Sequence, residues 1–121
     1  MNLIAWCLIA HLIGDFLLQT GHEAMTKARG RFLNRGLLTH CLKYVACFIP
    51  VFLAYGVSLA WLAPIFVTHL VLDRRWLVVG WRRYVMRDSV ESIKDTFWLT
   101  IVVDQTFHLI ILAVICALVS L

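Results

Sequence analysis

The sequence predicts an all-α integral membrane bundle of four transmembrane helices, and three observations carry that reading. The 121-residue chain is 62% hydrophobic and only 15% charged, an apolar share well beyond that of a soluble domain. Four apolar runs of membrane-spanning length, about 17 to 25 residues, recur at 2–19, 37–55, 58–75 and 97–120. All eleven Lys and Arg residues lie in or beside two of the three connections. No Gly-, Ser- or Pro-rich linker and no repeat divides the chain, so a single domain spanning 1–121 is expected.

The first run lacks a basic leading segment and a small-residue cleavage site, and it contains His11 and Asp15. It therefore reads as a retained helix, not a secretory signal. The connection after it, residues 20–36, is polar and basic, with Lys27, Arg29, Arg31 and Arg35, and Lys43 follows close by. Pro50 and Pro64 fall in or near the second and third spans, where a bend is tolerated without functional meaning. Those two spans are joined by the short uncharged turn Ala54-Tyr55-Gly56-Val57-Ser58.

Residues 74–96 contain Arg74, Arg75, Arg82, Arg83, Arg87 and Lys94 interleaved with Trp76, Trp81 and Tyr84. This pattern predicts a short amphipathic helix in the membrane interface between the third and fourth spans, with anionic lipid headgroups at Arg74, Arg75, Arg82 and Arg83. Ser89, with Glu91 and Asp95 following, reads as the start signal of the last span.

By the positive-inside rule both basic connections are cytoplasmic and both termini face the periplasm of a bacterial inner membrane. The net charge of +4 then reports topology and lipid contact, with no nucleic-acid partner expected. Association with further copies of the chain stays open. The four cysteines, Cys7, Cys41, Cys47 and Cys116, show no C-x-x-C spacing, which speaks for buried free thiols over disulfides or a zinc knuckle.

Ionisable residues inside the spans are the unusual feature. "HLIGD" places His11 and Asp15 four apart, "HLVLD" repeats the spacing with His69 and Asp73, and "DQTFH" reverses it with Asp104 and His108. Residues at i and i+4 share a helix face. Because the last span runs opposite to the first and third, the reversal sorts the residues by depth. The three aspartates fall nearer the cytoplasmic side, the three histidines about 6 Å deeper, and His40 near the start of the second span closes the ring.

Buried charge in a bilayer normally marks a site or a pathway. A divalent cation answers both halves of the pattern, since imidazoles and carboxylates are its ligands and its charge offsets the repulsion among carboxylates. The expected ligands are His11, Asp15, His40, His69, Asp73, Asp104 and His108, enough for one ion with outer partners or for two ions. Zinc is favoured, with Mn, Fe or Ni also compatible with mixed N and O donors. Asp15, Asp73 and Asp104 are the candidate catalytic carboxylates, and an uncoordinated one can act as general base.

Gln19 and Gln105 are candidates to orient the ligands, whereas His22 and Glu23 read as solvated loop residues. An ion or proton conduit, a metal that merely staples the helices, and simple interhelical hydrogen bonding are the competing readings.

The order "HLIGDFLLQT", "LLTH", "THLVLD", "DQTFHL" resembles an uncharacterised family of small bacterial and phage membrane proteins, a domain of unknown function, over nearly the whole chain. It is also similar in pattern to the larger family of membrane-bound metal-dependent hydrolases of the inner membrane. The resemblance implies a membrane metal site at His11, Asp15, His40, His69, Asp73, Asp104 and His108. It further implies a hydrolase, and the basic connections, with Arg and Trp beside the expected metal layer, suit a membrane-associated, phosphate-containing substrate.

Overall fold

In the computed structural model, which describes residues 1–29 and 33–121, eight α-helices carry the chain and no strand occurs among the described residues. Arg31 of the first basic connection lies outside the described residues. α1 (Leu3–Leu12) starts under the Asn2 side chain, which accepts from the Ala5 N–H at 3.0 Å, and runs on into a π-helical turn over Ile13–Leu17. That turn is closed by Leu18 N–H to the Ile13 carbonyl. The extra residue per turn that a π-bulge introduces re-aims one side chain, and Asp15 is inside it.

The expected second span is two helices. α3 (Arg35–Ala46) and α4 (Ile49–Ala54) are separated by Cys47 and Phe48. Pro50 explains the break: it has no N–H to give, and its ring collides with the carbonyl four residues back, that of Ala46, where α3 stops. Between α1 and α3 lies α2 (Gly21–Thr26). Thr20 and Glu23 form a reciprocal capping box at its start.

The expected third span is a 3₁₀ turn (Leu59–Trp61) followed by α5 (Leu62–Asp73). Pro64 sits in the first turn of α5, where a missing N–H costs nothing. The segment expected at the interface is helical, α6 (Trp76–Tyr84). Ser89, read above as the start of the last span, instead caps the separate short helix α7 (Val90–Asp95), its Oγ accepting from the Ser92 N–H at 3.0 Å. A break at Thr96 then leads into α8 (Phe97–Val119).

Two segments are long and apolar enough to cross a membrane: 35–54, made of α3 and α4, and α8. The apolar stretches Leu3–Leu17 and Leu59–Asp73 are shorter. α1 packs on α4 and α8, α3 packs on α5 and the π turn, and α5 packs on α8, which closes a four-membered ring.

One end of this ring is filled by Cys7, Ala10, Tyr44, Phe48, Phe52, Ile65, Leu112 and Ile115. The other end encloses the ionisable residues. His11, Asp15, His40, His69, Asp73, Asp104 and His108 are all buried, while Leu12, Phe16, Leu42, Leu53, Val67, Ile110 and Val114 point outward. Cys7, Cys41 and Cys116 are buried free thiols, and Cys47 is half-buried and free.

Arg82 departs from its expected place at lipid headgroups. It is fully buried, and its guanidinium donates to Asp88 Oδ2 at 2.7 Å, to the Thr96 carbonyl and hydroxyl and to Thr100 Oγ1. An arginine whose planar fork is satisfied by a carboxylate and by a broken helix start ties α6 to α8. Arg83 remains exposed, and Trp76, Trp81 and Tyr84 also face outward.

Candidate metal centre

Four elements deliver the site. The π turn supplies Asp15, α3 supplies His40, α5 supplies His69 and Asp73, and α8 supplies Asp104, Gln105 and His108. Gly14 permits the approach of the π turn to α3. A Cβ at that position would lie 2.9 Å from Tyr44 Cδ2 and 3.1 Å from Tyr44 Cα.

Asp15 Oδ1, His40 Nε2, His69 Nε2 and Asp73 Oδ2 converge. His40 Nε2 is 3.1 Å from Asp15 Oδ1 and 3.0 Å from Asp73 Oδ2. His69 Nε2 is 3.1 Å from Asp73 Oδ2 and 3.8 Å from Asp15 Oδ1, and the two Nε2 atoms are 3.0 Å apart. The edge of a tetrahedron of N and O ligands around zinc is about 3.3 Å, from bond lengths of about 2.0–2.1 Å, so these spacings are those of one coordination sphere. Neutral imidazoles bring at most one Nε2 proton each to this group. By themselves they cannot satisfy two carboxylates and one another together; the Lys27 ammonium reaches only the two carboxylate oxygens, whereas a central cation faces all four atoms.

The same Asp73 takes part in a second group through its other oxygen. Ligand atoms of Asp73, Asp104 and His108 lie within 4.8 Å of one another, and His108 Nε2 is 3.7 Å from Asp73 Oδ1. His108 Nδ1 donates to the Asp104 carbonyl at 2.8 Å. That bond leaves Nε2 as the bare lone pair in the neutral ring.

His11 occupies a different place. Its Nε2–H donates to Gln105 Oε1 at 2.7 Å, and the Tyr44 hydroxyl donates to its Nδ1 at 2.9 Å. Gln105 in turn donates from Nε2 to Asp15 Oδ2 at 2.7 Å. The chain Tyr44, His11, Gln105, Asp15 therefore orients a carboxylate of the first group, and both nitrogens of His11 are taken up. The tautomer and amide orientation follow from this network. Gln19 is not drawn in, since its Oε1 accepts no hydrogen bond among the described residues.

Three contributors carried no sequence signal or were assigned elsewhere. Tyr44 stacks on His69 with ring centroids 3.6 Å apart and planes within 8°, fixing the ring that presents Nε2. Its place four residues after His40 was the available clue. Lys27, counted among the basic topology residues, is buried with Nζ 3.1 Å from Asp73 Oδ2 and 3.7 Å from Asp15 Oδ1.

Glu23, read as solvated, is buried and paired with Lys43 at 2.8 Å. Burial pushes its carboxyl up, but the Lys43 ammonium and the Thr20 N–H outweigh it and hold it below the ordinary value. His22 is exposed, as expected.

The expected separation of carboxylates and imidazoles into two layers gives way to this mixed cluster. An imidazole reaches along the helix axis far enough for His69 Nε2 to meet the carboxylate of Asp73 one turn on.

Residues 3–121 match a family described as proteins of unknown function, DUF3307. The chain belongs to the DUF3307 family. No curated protein and no solved structure matches it.

Proposed function

We propose that this protein is a membrane-embedded divalent-metal-binding protein, a four-span bundle whose ion is held by Asp15, His40, His69 and Asp73. The convergence of four buried ligand atoms at tetrahedral spacing carries the reading. Zinc suits a tetrahedral set of two nitrogens and two oxygens, and Mn, Fe or Ni also accept these donors.

The membrane supports the same reading from outside. Only 33% and 28% of the apolar windows in 35–54 and α8 are buried in the protein, so their outward faces need an apolar solvent.

A through-conduit is disfavoured by the packed end of the ring, where Tyr44, Phe48, Phe52, Ile65 and Leu112 leave no polar file beyond the histidines. A staple is favoured for this first ion, because four protein ligands close a coordination sphere in structural sites.

The activity we assign to the centre as a whole is metal-dependent hydrolysis of a membrane-associated, phosphate-containing substrate. A cleft lined by His22, Thr26, Arg29 and Arg35 beside α2 supports this choice, since guanidinium groups recognise phosphate oxygens. It lies at the end of the ring where Lys27 reaches the carboxylates.

The test is metal content of untagged protein in detergent. Wild type is expected to carry ion stoichiometrically, and Asp15→Asn or His40→Ala to lose the ion of this site while remaining monodisperse. Unchanged, substoichiometric metal across these variants would sink the metal reading. For the reaction, phosphate release from a lipid phosphomonoester in mixed micelles is expected to stop with a chelator and in Asp73→Asn. Equal release in all cases removes the hydrolase arm.

A further inference from the structure

The geometry points to a second divalent cation, held by Asp73 Oδ1, Asp104 and His108 Nε2, with Asp73 bridging it to the first ion. The inference rests on the metal reading above and adds to it the number of ions, the bridge and the place where substrate can bind.

Three atoms carry it. Asp73 Oδ1, Asp104 Oδ1 and His108 Nε2 are each buried in residues no more than 3% exposed, and none of them has a hydrogen-bond partner among the described residues. All three are lone-pair atoms. Leaving such acceptors buried in one cluster without a proton or a cation costs the full desolvation of each.

The imidazole proton that might have bridged two of them is committed elsewhere, because His108 holds its N–H on the Asp104 carbonyl at 2.8 Å. A second partner of this kind, which fixes tautomer and ring direction, is the usual companion of a metal-bound histidine. Lys27 does not answer the need. Its ammonium faces Asp73 Oδ2 and Asp15 Oδ1, and Oδ1 of Asp73 is left to the α8 side.

Bridging follows from the two oxygens of one carboxylate. Asp73 Oδ2 belongs to the first group, at 3.0 Å from His40 and 3.1 Å from His69, while Oδ1 faces His108. Two ions joined this way stand about 3.5–4 Å apart in hydrolytic centres.

The two positions differ in what remains open. The first has four protein ligands and is full; the second has three, which leaves room for water or a substrate oxygen.

Charge indicates the class of that oxygen. With ionised carboxylates, Asp15, Asp73 and Asp104 exceed Lys27 by two negative charges, which one divalent ion cancels. A second leaves two positive charges, and an anionic oxygen, from hydroxide or a phosphoryl group, restores the balance. Asp104 is then a ligand and not a general base.

The experiment combines stoichiometry with magnetic coupling. Wild-type protein loaded with Mn²⁺ is expected to bind two ions per chain and to show an exchange-coupled electron paramagnetic resonance spectrum, which needs no variant. Asp104→Asn and His108→Ala are expected to bind one ion with an uncoupled spectrum, and Asp73→Asn to lose the coupling together with both sites. Inorganic phosphate is expected to tighten the second binding step several-fold and leave the first unchanged.

One ion per chain in wild type, unaltered by Asp104→Asn, overturns the second site and leaves the single-ion reading standing. Two ions without coupling overturn the bridge. Binding of no ion overturns both readings together.

Discussion

Gly14 precedes the first carboxylate of the centre and touches the tyrosine that orients two of its histidines. A methyl group there meets Tyr44 Cδ2 at 2.9 Å and, more importantly, the Tyr44 Cα at 3.1 Å, and backbone cannot turn aside as a side chain can. Overpacking of this kind typically costs about 1–3 kcal/mol. The displaced groups are the π turn carrying Asp15 and the ring stacked on His69. Gly14→Ala is therefore expected to lower the thermal midpoint and to weaken metal binding as well. A variant that unfolds earlier yet titrates metal with wild-type affinity would separate the packing of Tyr44 from its role in aiming the ligands.

At the scale of elements, α2 closes the ionisable end of the ring, held by Asn34 on the Thr26 and Lys27 carbonyls and by an ion pair. Glu23 accepts from the Thr20 N–H at 3.1 Å and pairs with Lys43, which also donates to the Leu18 carbonyl. Because the folded protein holds the Glu23 carboxyl below its ordinary value, its contribution is present above the unfolded value and is lost as pH falls through the folded one. Acidification is thus expected to loosen α2 selectively. Hydrogen exchange of the 23–29 amides should rise at acidic pH before that of α8, and in Glu23→Gln the rise should already be present at neutral pH. Equal exchange in the two proteins across the range would place the hold on α2 elsewhere.

α2 also marks where the sequence stops being legible. The i, i+4 pairs identified six of the buried ionisable residues, because a regular helix converts spacing into a shared face. Pro50 reads from the sequence only as a tolerated bend in the second span, and the full break it makes comes from the local clash with the Ala46 carbonyl. Lys27 and Glu23 could not be read that way. Their burial depends on a connection folding back over the ring, and in a basic segment nothing local distinguishes the one lysine that turns inward. The same holds for Arg82, whose partners Asp88, Thr96 and Thr100 are brought together by the break between α7 and α8. His11 and His69 carry the same motif yet have different partners, because only His11 finds Gln105 and Tyr44 on both sides of its ring.

For the whole molecule, the decisive quantity is how many segments of the proposed membrane bundle cross the bilayer. α1 with its π turn and the 59–73 segment are shorter than 35–54 and α8, so a two-crossing arrangement competes with four. Packing favours four: the shorter segments complete the ring and supply Asp15, His69 and Asp73 to the same cluster as α3 and α8. Outward-facing aromatic residues also sit near both ends of the ring, Trp6 and Tyr55 at one, Trp76, Trp81 and Tyr84 at the other, as in membrane-interface belts.

The two arrangements group the connections differently. Four crossings put His22 with Arg83 on one side and Ser58 with Ser120 on the other. Two crossings put His22 with Ser120 and Ser58 with Arg83. Single cysteines at these four exposed positions, in a Cys47→Ala background that keeps the three buried thiols, can be labelled with an impermeant maleimide in intact and inverted vesicles. His22→Cys and Arg83→Cys are expected to react together, from the cytoplasmic face, as their basic surroundings require. Reaction of His22→Cys together with Ser120→Cys would instead leave α1 and α5 on the membrane surface and remove the bilayer from around the proposed centre.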